Sequence, residues 1–211
     1  SYPGEKGHES IPRILPDVHV YIWQVEDPEK ISAHTVVREV EQTTNKILSG
    51  GYGPVTTFIG DGLHKLYGWF YRKAFVDLEE FKLSEDVQVA RAYGRAHDEF
   101  GYSLTRTLSS RVPYIGMSVW EGATKDDPLS KDKNAPQHIF PDLPGQMAKR
   151  IVGEFPVVMY ADVEPPDPQG KSRAWWVLKP QGKIWGVGVK GDPAIVAKIP
   201  AKIPQDFGIL V

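Results

Sequence analysis

The sequence predicts an α/β fold, with a mainly parallel sheet flanked by helices and an antiparallel hairpin toward the carboxy terminus. Three observations carry this reading. Short apolar runs rich in β-branched and aromatic residues recur at Val18–Val25, Val55–Gly60, Val112–Trp120 and Val157–Val163. Longer segments with apolar residues at helical spacing lie between them, the alternation expected of βαβ units and a parallel sheet. Two last apolar runs, Ala174–Leu178 and Ile184–Val189, flank Pro180-Gln181-Gly182-Lys183, the pattern of a hairpin with a longer turn.

Each element has its own signal. Val18–Val25 (VHVYIWQV) reads as a buried strand closed by Asp27-Pro28. Ala33–Leu48 places Val36, Val40 and Ile47 at helical spacing, and Gly50-Gly51 ends it. Val55–Gly60 is a second strand. Leu63–Leu78 sets Leu63, Leu66, Tyr67, Phe70 and Ala74 on one helical face, and Val87–Leu108 does the same with Val89, Tyr93, Ala96, Phe100 and Leu104. Val112–Trp120 is a third strand. Gly122–His138 is charged and proline-punctuated and reads as a surface loop. A short helix is expected over Leu143–Val152 and a fourth strand over Val157–Val163. Asp192–Val211, with Pro193, Pro200 and Pro204, reads as an extended tail. The whole chain is expected to be one domain, with residues 164–211 forming its hairpin and tail.

The 211 residues are enough to bury a core without staples, and the 41% hydrophobic and 25% charged fractions are those of ordinary globular proteins. No apolar run is long enough for a transmembrane helix, so no membrane association is expected. The absence of cysteine excludes disulfides, thiol nucleophiles and thiolate zinc sites, and fits a reducing, cytoplasmic setting. A net charge of −2 gives no global attraction to nucleic acid. The carboxy-terminal third nevertheless carries Lys171, Arg173, Lys179, Lys183, Lys190, Lys198 and Lys202, interleaved with Trp175, Trp176 and Trp185. This strip reads either as a solvated face over a tryptophan-rich core or as a nucleic-acid surface, with Lys171, Arg173, Trp176 and Lys183 as its candidate contacts.

Thr56-Thr57-Phe58-Ile59-Gly60-Asp61-Gly62 is the strongest local motif. An apolar strand ending in a carboxylate and followed by a helix has the form of a Walker B segment. It sets Asp61 at the carboxyl edge of a sheet, where ligands of open α/β folds bind and where a carboxylate holds Mg²⁺ beside phosphates. The competing reading is a helix N-cap. Glu26 ends the preceding strand and suits proton acceptance from an attacking water, against a polar turn opener as its plain reading. The third strand ends in Ser118-Val119-Trp120-Glu121, bringing a hydroxyl and a further carboxylate to the same edge. The phosphate-binding G-x-x-x-x-G-K-S/T motif is missing. The only Gly-Lys-Ser, at residues 170–172, follows Pro165-Pro166-Asp167-Pro168 and precedes a tryptophan-rich strand, so it reads as a loop tip. The six histidines are scattered, with no metal-ligand spacing.

In order of parts, the chain resembles the phage AAA, RecA-like ATP-binding proteins, a family that includes single-strand-annealing recombinases. The likeness rests on the Val18–Glu26 strand and the TTFIGDG, YIGMSVWEG, IFPDLPGQMAKRIVGEFPVVMYADV and RAWWVLKPQGKIWGVGVK segments, and it runs from Tyr2 to the end. Its most specific piece is Pro141-Asp142-Leu143-Pro144-Gly145-Gln146. The resemblance implies a RecA-like P-loop NTPase core acting on ATP and Mg²⁺. In it Asp61 is the Walker B carboxylate, with Ser118 beside it at the nucleotide, and Glu26 is the water-activating carboxylate. Lys190 reaches toward a neighbouring subunit's nucleotide. It further implies single-stranded DNA as a partner, a homo-oligomeric ring or filament, and the host-cell cytoplasm as the location. Ser1-Tyr2-Pro3-Gly4 is similar to the stretch that follows the first helix of such cores, so the phosphate loop is expected upstream. The alternative is a module that keeps the core for assembly or for binding DNA or protein without hydrolysing ATP.

Overall fold

The computed structural model of the chain describes residues 31–125, 137–144 and 146–205. The expected strand Val18–Val25 and Glu26 lie outside these. The fold mixes helices with small sheets and divides into two compact units, one within Ser1–Trp120 and one within Glu121–Val211.

Three helices dominate the first unit. Helix α1 (Ala33–Leu48) starts at Ser32, whose Oγ accepts a hydrogen bond from the Thr35 N–H. It buries Val36, Val37, Val40 and Thr44, and the chain leaves it through Gly50 in a left-handed conformation. Strand β1 (Thr57–Gly60) leads into α2 (Leu63–Glu79), and α3 (Glu85–Leu108) precedes β2 (Tyr114–Met117). On α3 the residues Ala92, Ala96, Phe100 and Leu104 recur every fourth position and are buried, which follows from the helical period. Phe70 and Phe100 are fully buried and meet edge to face at 5.7 Å; Tyr67 meets Phe100 likewise at 5.4 Å. β1 and β2 run parallel, with Thr57 opposite Tyr114 and Gly60 opposite Met117. The α2–α3 surface carries an ion network: Lys73 bridges Asp77 at 3.0 Å and Glu99 at 3.1 Å, Arg95 bridges the same two carboxylates, and His34 bonds Asp77 at 2.5 Å.

The second unit is made of short strands. β3 (Glu121–Lys125) pairs antiparallel with β4 (Gln137–Pro141), so the stretch expected to be a loop has strands at both ends. Backbone pairing supplies order there that polar composition conceals. Helix α4 (Gln146–Glu154) buries Met147, Ala148 and Ile151. The expected fourth parallel strand is instead two antiparallel pieces, β5 (Val157–Val158) and β6 (Tyr160–Val163). They change partner at Met159: β5 pairs with β8 (Gly188–Val189), and β6 pairs with β7 (Ala174–Val177). The parallel sheet of the described residues is therefore the β1–β2 pair alone.

Two further expectations are corrected. Ala174–Leu178 and Ile184–Val189 do not form a hairpin with each other. Both edges of β7 are already filled, by β6 and by β9 (Lys202–Pro204), so residues 184–189 turn to other partners: Ile184 to Ile139 and β8 to β5. The tail is not wholly extended either. Asp192 accepts from the Ala194 N–H at 2.7 Å and Pro193 sits at the first helical position, which starts α5 (Pro193–Lys198) before the chain extends into β9.

Candidate functional site

Because β1 and β2 are parallel and end in register, the residues that follow them, Asp61 and Ser118, emerge side by side at the carboxyl edge. Ser118 is tied on every polar atom. Its N–H donates to the Gly60 carbonyl at 2.9 Å, and its own carbonyl accepts from the Leu63 N–H at 2.9 Å. Its Oγ accepts from the Gly62 N–H at 2.9 Å and donates through a short hydrogen bond to Asp61 Oδ1. One serine thus joins the two strand ends to the start of α2.

This answers the N-cap reading of Asp61. The cap position belongs to Gly62, in the left-handed region at φ 83°, and no side chain caps the helix. Asp61 stays half-buried at the strand end, its orientation set by the Ser118 hydroxyl. A carboxylate and a hydroxyl are hard oxygen ligands of the kind Mg²⁺ takes, usually with water and phosphate completing its shell. Among the described residues no group of three or more His, Asp or Glu side chains gathers as a metal cage, so any Mg²⁺ here relies on such completion. The first turn of the 17-residue helix α2 adds the positive end of its dipole, which favours an anion.

Three residues that the sequence reading left out flank this pair. Trp120 is exposed, with the Lys65 ammonium 5.2 Å from its ring centre and the His64 ring at 4.5 Å. The signal was available in the sequence, since Lys65 lies in the first turn of the helix that follows Asp61, and Trp120 two residues beyond Ser118.

The other candidates are dispersed. Glu26 is outside the described residues. The Glu121 side chain belongs to the carboxy-terminal unit and accepts a short hydrogen bond from the Tyr160 hydroxyl. That bond, helped by burial, pushes the phenol up to about 12. Lys190 donates its backbone N–H to Pro156 at 2.8 Å and its ammonium to the Gly153 carbonyl. A cation on a carbonyl of the last turn of α4 stabilises that helix end.

The basic strip separates in the same way. Lys171 lies in a turn in which Asp167 Oδ1 accepts from the Gln169 and Lys171 N–H groups at 2.9 and 2.8 Å. Gly170 is left-handed there, so Gly170-Lys171-Ser172 is the loop of the β6–β7 hairpin and leads into no helix. Arg173 is exposed at the mouth of that hairpin, its carbonyl accepting from the Glu164 N–H at 2.9 Å. Trp176 sits in the middle strand opposite Ala161 and Ile203 and is half-buried. Its neighbour Trp175 is half-buried too, with the Lys202 ammonium 4.6 Å from its ring centre and Glu164 bonded to that ammonium at 2.6 Å. Lys183 is exposed on a different turn, where its carbonyl accepts from the Ile139 N–H at 2.7 Å.

The sequence matches no family model and no curated protein, and no solved structure matches the chain.

Proposed function

We propose that the chain is the core of a RecA-like, ATP-dependent protein of DNA recombination, holding a magnesium nucleotide at the Asp61–Ser118 pair. The observation that supports this is the placement of a carboxylate, fixed by a serine hydroxyl, where two parallel strands end and a long helix begins. Open α/β folds bind phosphorylated ligands at that edge. In this reading Asp61 orders the cation and Ser118 holds Asp61 in its working orientation. The cation supplies charge neutralisation at the phosphates. Glu26 accepts the proton of the attacking water. Lys190 serves a nucleotide in a neighbouring subunit of a ring or filament only after leaving the Gly153 carbonyl. Lys171, Arg173 and Lys183 supply the cationic side of single-stranded DNA binding, and Trp176 the aromatic contact.

The test uses the full-length protein with ATP and Mg²⁺. Asp61→Ala is expected to abolish Mg²⁺-dependent hydrolysis. Glu26→Gln is expected to keep nucleotide binding while slowing turnover about 10²–10⁴-fold, because the base is removed and the grip is left. Normal hydrolysis by both variants refutes the assignment.

A further inference from the structure

The tryptophan best prepared to meet a ligand is neither member of the Trp175-Trp176 pair. Trp185 follows the turn at Gln181–Ile184, and its backbone is fastened to β4. Ile139 donates its N–H to Lys183, and the Ile139 carbonyl accepts from Trp185 and, at 2.9 Å, from Gly186. Gly186 makes that approach possible: a Cβ on it would stand 2.9 Å from Phe140 Cα and 2.9 Å from Pro141 Cδ. The indole is fixed as well. Its Nε1–H donates to the Gly182 carbonyl at 3.1 Å, and the ring stacks on the buried His138 imidazole at 3.9 Å with 25° between planes. With its polar atom satisfied and its ring backed by a second ring, Trp185 still leaves 50% of its surface in water.

An indole at an ordinary surface site is free to turn. This one is held in one orientation by a hydrogen bond, a stacked ring and a main-chain clamp, so a flat partner meets it without an ordering cost. The charge next to the indole suits a polyanion: the segment from Lys171 to Gly191 carries no carboxylate in a chain of net charge −2. Within it, however, Lys179 and Lys190 turn their ammonium groups to the Ala197 and Gly153 carbonyls, and Lys171 and Arg173 lie at another hairpin. Lys183, two residues from the indole, is exposed. A rigid aromatic face beside phosphate-attracting charge is the pairing used by proteins that bind single strands without sequence preference.

We propose that Trp185, backed by His138, is a stacking platform for an unpaired base of single-stranded nucleic acid, with Lys183 at its phosphate. This rests on the DNA-binding part of the function proposed above and moves its aromatic contact from Trp176 to Trp185.

The experiment compares two fluorescein-labelled single strands on the full-length chain by anisotropy: an oligothymidylate of about twenty nucleotides, longer than the ~4–16 that one binding module covers, and an abasic strand of equal length. The wild type is expected to prefer the strand that has bases. Trp185→Ala is expected to weaken oligothymidylate binding about 5- to 140-fold and to leave abasic binding unchanged. Trp185→Phe, which keeps a ring, retains most of the preference and keeps the result readable if the alanine variant fails to fold. Lys183→Ala weakens both strands and flattens the salt dependence. Equal binding of both strands by the wild type, or oligothymidylate binding that ignores both Trp185 variants, overturns the platform and leaves DNA binding standing. So does a Trp185→Ala effect confined to sedimentation, which assigns the face to a second copy of the chain. Failure of the wild type to bind either strand overturns the platform and the DNA-binding reading together. Neither result depends on the ATP hydrolysis that tests Asp61.

Discussion

Up to Met117 the described chain is carried by helices of 16, 17 and 24 residues, whereas from Glu121 onward its helices have 9 and 6 residues and its strands at most 5. The two regions hold side chains in place by different means. In the first, long periodic elements lock together through buried aromatics, and the strand ends that present Asp61 and Ser118 belong to that packed unit. In the second, a smaller aliphatic core that includes Met147, Ile151, Val177 and Leu178 is joined by individual main-chain contacts, such as those of Ile139 with Lys183 and Gly186. A residue in the first region inherits its placement from a periodic pattern, and one in the second from pairings between distant segments.

The contrast can be broken most forcefully at Phe100. Truncation to alanine removes a fully buried ring that touches Phe70 and Tyr67, and is expected to lower the unfolding free energy by about 3–5 kcal/mol in urea denaturation. A cost below about 1 kcal/mol would show that the helical unit does not rest on this cluster. In the second region the sharper test adds an atom. Gly186→Ala forces a Cβ against the backbone of Phe140 and is expected to cost about 1–3 kcal/mol by the same measurement. If it is neutral, the main-chain clamp yields easily and the regions differ less than the geometry indicates.

The smallest effect belongs to the ion network on α2 and α3. Desolvation acts to raise the Asp77 carboxyl, but the His34 hydrogen bond and the Lys73 and Arg95 charges outweigh it and leave Asp77 below the ordinary carboxylate value. The ionised form is then favoured in the folded state over the unfolded one. Its contribution is full above about pH 4 and fades as the pH falls through the depressed folded value. Asp77→Asn is expected to lower stability near neutrality by about 1 kcal/mol or less, and the gap to the wild type is expected to close as the pH falls through the depressed Asp77 value. A gap that persists in acid would assign the loss to packing.

Legibility in the sequence followed the same division. Val36 and Val40 with the glycines at 50 and 51 were enough to bound Ala33–Leu48, because a helix repeats its signal over several turns. The Asp61–Ser118 neighbourhood was readable because Val55–Gly60 and Val112–Trp120 were expected as parallel strands, and parallel pairing brings the carboxyl ends of such strands to one edge. The partner of β7 was not readable. A strand of four residues shows hardly more than one alternation, and the turn at Pro180–Lys183 looks the same whether the next segment pairs with β7 or passes it by. The helix at Pro193–Lys198 was hidden by prolines that read as breakers when one of them is a starter. Trp185 stood in the basic strip from the outset, but only the fold shows His138 beneath it.

The turn at Asp167–Lys171 bears on how phosphate-loop likenesses are read. Its Gly-Lys-Ser has the letters of a nucleotide grip, yet the amide hydrogens of residues 169 and 171 already point at the Asp167 carboxylate, two and four residues back along the same loop. The loop carries a tethered resident anion. A phosphate arriving there has to displace an acid that is covalently present at every moment, so the motif is self-occupied by construction.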